Sequence, residues 1–268
     1  MQSSKYLMEN DEEAFRLDLK TDNEVTTKQA LWAGIKPGMR VADIGFGSGK
    51  TTSRLNELVQ PGGSAVGIDI SEQRVEFAKE HYDCPEVEFL WRDARKSLDD
   101  LGTFDFVWVR FLLEYYLKES FDLVENIAKR VKPGGILCLI DLDYNCLTHY
   151  GLPMRLERTL LALGKLNQKV NFDPFVGRKL YSFLYDLGFK EINVDISGHH
   201  VIFGELKKTD AFNWVKKAEV IPKKIGFEFD EYPGGYVEFF EEFKKFFAQP
   251  RRFTYSPIIS CRGRKPKS

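Results

Sequence analysis

The stretch Val41-Ala-Asp-Ile-Gly-Phe-Gly-Ser-Gly-Lys-Thr-Thr52 decides how this 268-residue chain is read. A short apolar strand, Met39 to Ile44, meets three alternate glycines and then a helix. Glycine at every second position allows φ > 0 and leaves no Cβ between the chain and a ligand. The helix opening near Gly49 points unpaired N–H groups into that turn. Such a turn suits something flat or extended lying against bare main chain.

Spacing narrows the ligand. A phosphate-binding P-loop needs four residues between its first Gly and the Gly-Lys-Thr. Counting back from Gly49-Lys50-Thr51, that position is Ile44. The dinucleotide fingerprint needs Gly at first, third and sixth positions; from Gly45 the sixth is Lys50. What remains is Asp43-x-Gly45-x-Gly47-x-Gly49. This pattern resembles the first motif of class I S-adenosylmethionine-dependent methyltransferases. The resemblance implies that the loop lies along the methionine and ribose portions of the cofactor, with Asp43 orienting the loop and the ammonium end.

Bulk properties exclude several classes. With 43% hydrophobic and 29% charged residues, the composition is that of an ordinary globular protein. No apolar run approaches a membrane span, and Met1 to Glu13 is polar and acidic rather than signal-like. Cys84, Cys138, Cys146 and Cys261 have no paired spacing, which argues against a disulfide framework or a zinc site. A cytoplasmic setting is the expectation. The net charge of −1 is uneven: residues 1–150 carry 18 Lys+Arg against 26 Asp+Glu, residues 151–268 carry 21 against 14. A basic second half could meet an anionic partner, nucleic acid included, or be solvated surface.

Two helices are expected before the glycine loop, one within Tyr6–Thr21 and one from caps at Thr26-Thr27 to Ala33. By resemblance they form a cover over the cofactor, where Tyr6 and Arg16 either touch ligand or only pack. The second strand, Ala65 to Ile70, ends in Asp69. A carboxylate there can accept from both hydroxyls of a ribose, a chemistry nicotinamide enzymes share. Ile70 follows as a further cofactor contact, and Ser71 as cap of the next helix. Arg92-Asp93-Ala94 follows the third strand, Val87–Trp91. The resemblance places Asp93 and Ala94 beside the adenine, Asp93 accepting from its exocyclic amine.

After the fourth strand, Phe104–Val109, come Arg110, Phe111, Glu114, Tyr115 and Tyr116, at the mouth where open α/β sheets do their chemistry. Arg110 can hold the cofactor carboxylate, hold a substrate anion, or cap a helix. Phe111 or Tyr115 could face the sulfonium. No Asn/Asp-Pro-Pro-Tyr/Phe cluster and no cysteine stand here, against methylation of exocyclic base amines and of pyrimidine carbon-5. The fifth strand, Ile136–Leu142, carries Asp141 and Asp143 at its tip, with His149 beyond. Tyr115, Asp141 and His149 are the candidate bases.

A sixth strand is read at Phe189–Ile196, and a last, antiparallel one at Arg252–Cys261. Between them lie two helix patterns, Asp210–Ala218 and Tyr236–Phe247; the second puts Phe239, Phe240, Phe243 and Phe246 on one face, as a lid or as plain packing. The expected fold is therefore α/β: a seven-stranded, mostly parallel, doubly wound sheet. By resemblance its order is 3-2-1-4-5-7-6. The expected parts are an N-terminal helical cover (1–35), a methyltransferase domain (36–198 plus 251–262) and a helical insertion (199–250). The expected activity is in-line methyl transfer from S-adenosylmethionine, leaving S-adenosylhomocysteine, to a small-molecule acceptor. RNA or protein methylation and non-catalytic cofactor binding remain open, as does monomer against homodimer.

Overall fold

The computed structural model describes residues 13–145 and 147–267; Tyr6 and Cys146 lie outside them. The parallel strands are β1 (Arg40–Ile44), β2 (Ser64–Asp69), β3 (Val87–Trp91), β4 (Phe104–Arg110) and β5 (Val131–Leu142). They are joined through helices α3 (Lys50–Val59), α4 (Glu72–Tyr82) and α5 (Ser120–Ala128). The strands alternate between two cores. Ala42, Ile44, Val107, Val109, Leu137 and Leu139 pack on α5 and on α7 (Leu180–Asp186). Val41, Phe106, Trp108, Cys138 and Ile140 pack on α3 and on α2 (Asn23–Ala33). Burial on both faces is what makes these strands near-continuously apolar in sequence.

The sheet has eight strands in the order β3-β2-β1-β4-β5-β8, with β7 (Lys190–Phe203) along the far side of β8 (Phe253–Arg264). β8 runs antiparallel to both β5 and β7. The expected order, with the last strand of the chain inserted and reversed, is what forms. The eighth strand is the two-residue β6 (His149–Tyr150), which pairs Thr254 and Phe253 beyond the point where β5 leaves β8.

Local boundaries differ where side chains compete with the pattern. The cap of α2 is Asp22, whose carboxylate accepts from Glu24 N at 2.8 Å and Val25 N at 3.2 Å. Thr26 and Thr27, the expected caps, sit inside the helix and bond back to Asp22 O and Asn23 O. β7 continues to Phe203, seven residues past its expected end, because β8 offers a partner all the way to Phe253. After β4 the chain makes a 3₁₀ turn at Leu113–Tyr115 before α5.

The remaining helices form a separate apolar layer. α6 (Met154–Leu166), α8 (Lys208–Ile225) and α9 (Gly235–Phe247) bury Leu156, Leu163, Trp214, Phe239, Phe243, Phe246 and Phe247 together. The phenylalanine stripe of α9 is thus a core face. α1 (Glu13–Lys20) lies across α4 instead, where Tyr82 donates its hydroxyl to the Asp18 carboxylate and Lys50 Nζ donates to Asp18 O at 3.0 Å.

Candidate cofactor and acceptor site

All five parallel strands end on one edge of the sheet, and the loops there enclose a cavity of about 1000 Å³. Its floor is the glycine loop. Gly45, Gly47 and Gly49 have φ of 78°, 66° and 90°, conformations that L side chains rarely adopt. The loop is held from below: Gly45 N donates to Ile68 O at 2.7 Å, and Gly47 N to Asp69 Oδ2 at 3.0 Å. A Cβ on Gly45 would lie 2.9 Å from Leu112 Cδ1, and one on Gly47 3.3 Å from Leu17 Cδ1 of α1. Gly49 does not line the cavity. A Cβ there would strike Ala78 Cβ at 2.6 Å, so this glycine lets α4 pack close beneath the start of α3.

Two carboxylates meet at this floor. Asp43 is buried and accepts from Thr52 Oγ1 at 2.7 Å, which ties the strand to α3. Burial pushes its carboxyl up to about 7; the Thr52 hydrogen bond opposes this and the charge of Asp69 adds to it. Asp69 is raised too, by burial, against the Arg74 guanidinium 3.5 Å away and the amides of Ser71 and Gly47. Ile70 and Ala94 line the wall beyond Asp69. Arg110, half-buried and lowered to about 10 by desolvation, donates to Gln29 Oε1 at 3.2 Å and lies over the Phe111 ring at 4.1 Å. Phe111 itself has φ of 54°, a strained value for an aromatic residue at a strand tip.

Besides Gly49, three expected residues are elsewhere. Asp93 is not among the residues lining the cavity, and Arg95 takes its carboxylate at 2.9 and 2.8 Å. Asp141 is completely buried below the site and accepts from the amides of Leu113 (2.9 Å), Glu114 (3.3 Å) and Leu142 (2.9 Å). It shapes the turn after β4 instead of meeting an acceptor. His149 lies in the seam between β8 and the outer helices, bonded to Thr254 Oγ1 at 2.8 Å and edge-on to Trp214 and Phe246. Tyr115 does line the cavity, with its ring against Phe172 and its hydroxyl on the Glu114 carboxyl.

Among the cavity residues without a sequence assignment, four carry groups that bear on its chemistry. Glu114 is buried, receives Asn145 Nδ2 at 2.6 Å, and is raised by desolvation. His199 and His200 come from the end of β7, and Lys217 from α8. The only advance signal was a His-His doublet holding two of the chain's four histidines, just past the point where the strand pattern was read to stop.

These residues fit an adenosyl ligand. Main chain without side chains faces the cavity at Gly45 and Gly47, an acid stands at the tip of the second strand, and the volume exceeds what one small ligand needs. The fold is a doubly wound α/β sheet with its cavity at the carboxyl edge of the parallel strands. Residues 41–135 match the family described as methyltransferase domain. Over 141 residues the chain is 29% identical to the ubiquinone/menaquinone biosynthesis C-methyltransferase UbiE of Pseudomonas fluorescens, covering 48% of this chain and 55% of that protein. Over 117 residues it is 29% identical to the ubiquinone biosynthesis O-methyltransferase of Coxiella burnetii, covering 40% and 45%. The chain spans about half the length of the curated relatives it matches. Among solved structures, the phosphoethanolamine N-methyltransferase 2 of Haemonchus contortus, with phosphomonomethylethanolamine and S-adenosylhomocysteine, superimposes with a TM-score of 0.62 at 16% identity, covering 99% of this chain and 61% of that one. Residues 41–135 are thus similar to a methyltransferase domain, and the likeness to the solved structure shows a shared fold.

Proposed function

We propose that this protein transfers a methyl group from S-adenosylmethionine to a small-molecule acceptor. The observation that carries the reading is a single cavity lined both by the glycine loop and by a distant roof of α1, β7 and α8 residues. Gly45, Gly47 and Asp69 would hold the cofactor's methionine and ribose portions, with Ile70 and Ala94 against the base. The cofactor supplies a methyl group on a positively charged sulfur, already a good leaving group. The chain's task is alignment and exclusion of water, which can be worth about 7–11 kcal/mol at best. α1 covers the floor through Leu17, and α8 closes the top through Asn213 and Lys217. A cavity of about 1000 Å³ has room for a small acceptor beside the cofactor, and the quinone-pathway names of relatives support that class.

The test has two arms. S-adenosylhomocysteine should raise the melting temperature of the protein, and Asp69→Asn should weaken its binding at least tenfold by calorimetry. Hydrogen bonds to a charged group contribute about 1.5–3 kcal/mol, the range that tenfold or more requires. A methyl-radiolabel screen of cell extract should then place counts in the small-molecule fraction. An unchanged melting temperature with both cofactor and product overturns the reading.

A further inference from the structure

We propose that His199, His200 and Lys217 form an oxyanion-binding corner that takes a phenolic acceptor in its ionised form. This rests on the methyltransferase reading above and adds the acceptor's chemical class. β7 pairs β8 in register down to His199, then slips before Ile202, and His200 within that slip has φ of 51°. Neighbouring strand residues normally point to opposite faces; here both imidazoles line the cavity, their centroids 3.9 Å apart. A strained bulge beside a cavity is how a strand re-aims a side chain. His199 lies against Phe111 at 5.3 Å. His200 faces Trp214 edge-on at 6.3 Å, and Lys217 Nζ stands 5.1 Å from the same indole. The ammonium is therefore built into the same corner as the two rings.

Three cationic groups reach His199 at this corner. Burial, with Arg110 from the tip of β4, Lys217 from α8 and Lys20 from α1, pushes His199 down to about 3; burial, with His199, Lys217 and Lys20, pushes His200 down to about 2. The acidic groups lining the same cavity nearby are Glu114, whose carboxyl the charge of Lys217 also reaches, and Asp210 of α8. A neutral imidazole keeps one N–H donor. The corner thus offers donors and a fixed cation with no strong base, which favours an oxygen anion and disfavours an ammonium. Phe111 and Phe172 supply flat apolar wall for an aromatic ring. On binding, the phenol proton leaves to solvent. The oxygen lone pair then forms the new C–O bond while the C–S bond breaks with its electron pair on sulfur. Oxyanion and sulfonium charges cancel, giving a neutral ether and a neutral thioether.

4-Nitrophenol, whose absorbance reports its ionisation, tests this on the full chain saturated with S-adenosylhomocysteine. The bound dye should ionise at least tenfold more readily than in water. Lys217→Met should return most of that shift, His199→Asn and His200→Asn should weaken dye binding, and Lys216→Met, outside the cavity, should change neither. Each variant is checked for its heat shift with S-adenosylhomocysteine, which reports folding and an intact floor. Dye that fails to bind, binds in its neutral form, or is indifferent to Lys217→Met overturns the oxyanion corner. If the heat shift is present while the dye result fails, the acceptor class is wrong and the cofactor reading stands; if the wild type shows no heat shift, the cofactor reading fails first.

Discussion

Asp43 shows how one residue can be legible in sequence for one property and opaque for another. Its place at the head of the glycine motif was readable; its ionisation was not, because that depends on what buries it. The carboxyl has a folded value near 7 against an ordinary 3.8, with burial as the main cause. A raised folded value means the native state keeps a proton that the unfolded chain releases, so the stabilising contribution is full below about pH 4 and is lost as pH rises through about 7. Asp43→Asn keeps an acceptor for Thr52 and cannot ionise. Urea denaturation of the ligand-free protein at about pH 5 and about pH 8 should show wild type losing more stability than the variant across that interval; equal losses would refute the assignment. Asp141 and Asp93 mark the limit of motif reading. An acid at a strand tip suits ligand binding, but it also suits three nearby amides or a neighbouring arginine, and here those closer partners win.

Element by element, periodicity identified most helices and strands, and what it missed was which face met what. The stripe of α9 was readable as apolar at helical spacing. Its partners, α6 and α8, are brought to it only by the fold. Phe239 is completely buried within that layer. Phe239→Ala should therefore cost about 3–5 kcal/mol of unfolding free energy, the range for removing a buried aromatic ring. Chemical denaturation measures it, and a loss below 1 kcal/mol would show that the outer layer is loosely packed. The end of β7 makes the same point from the other side: its alternation fades at Ile196, yet pairing with β8 carries it to Phe203 and sets the histidine bulge over the cavity.

Over the whole molecule, the sheet is a platform and α1 lies over its glycine loop. α1 meets the α3–α4 side through Asp18, with Leu17 over Gly47. A short helix lying over a loop opens at lower free energy than the sheet beneath it. Bound cofactor should slow amide exchange in residues 13–20 and leave the β1, β4 and β5 amides, already protected by the sheet, unchanged. Exchange by mass spectrometry reads this directly, and equal protection of α1 with and without S-adenosylhomocysteine would remove α1 from the binding cycle. No helix among the described residues is long and apolar enough to cross a membrane.

Resemblance placed the final strand inside the sheet; the sequence by itself determined the glycine loop, the acid at the second strand tip, and the alternation of strands and helices. These follow from local geometry: glycine is needed where φ is positive, and two-sided burial makes a strand apolar along its length. Only the tertiary structure decided which acids face the cavity and which are consumed by amides and arginines. It alone brought His199, His200 and Lys217, from a strand and a helix far from the loop in sequence, to the other end of the same chamber. Burial and partners are set by residues distant along the chain, and no local pattern carries that information.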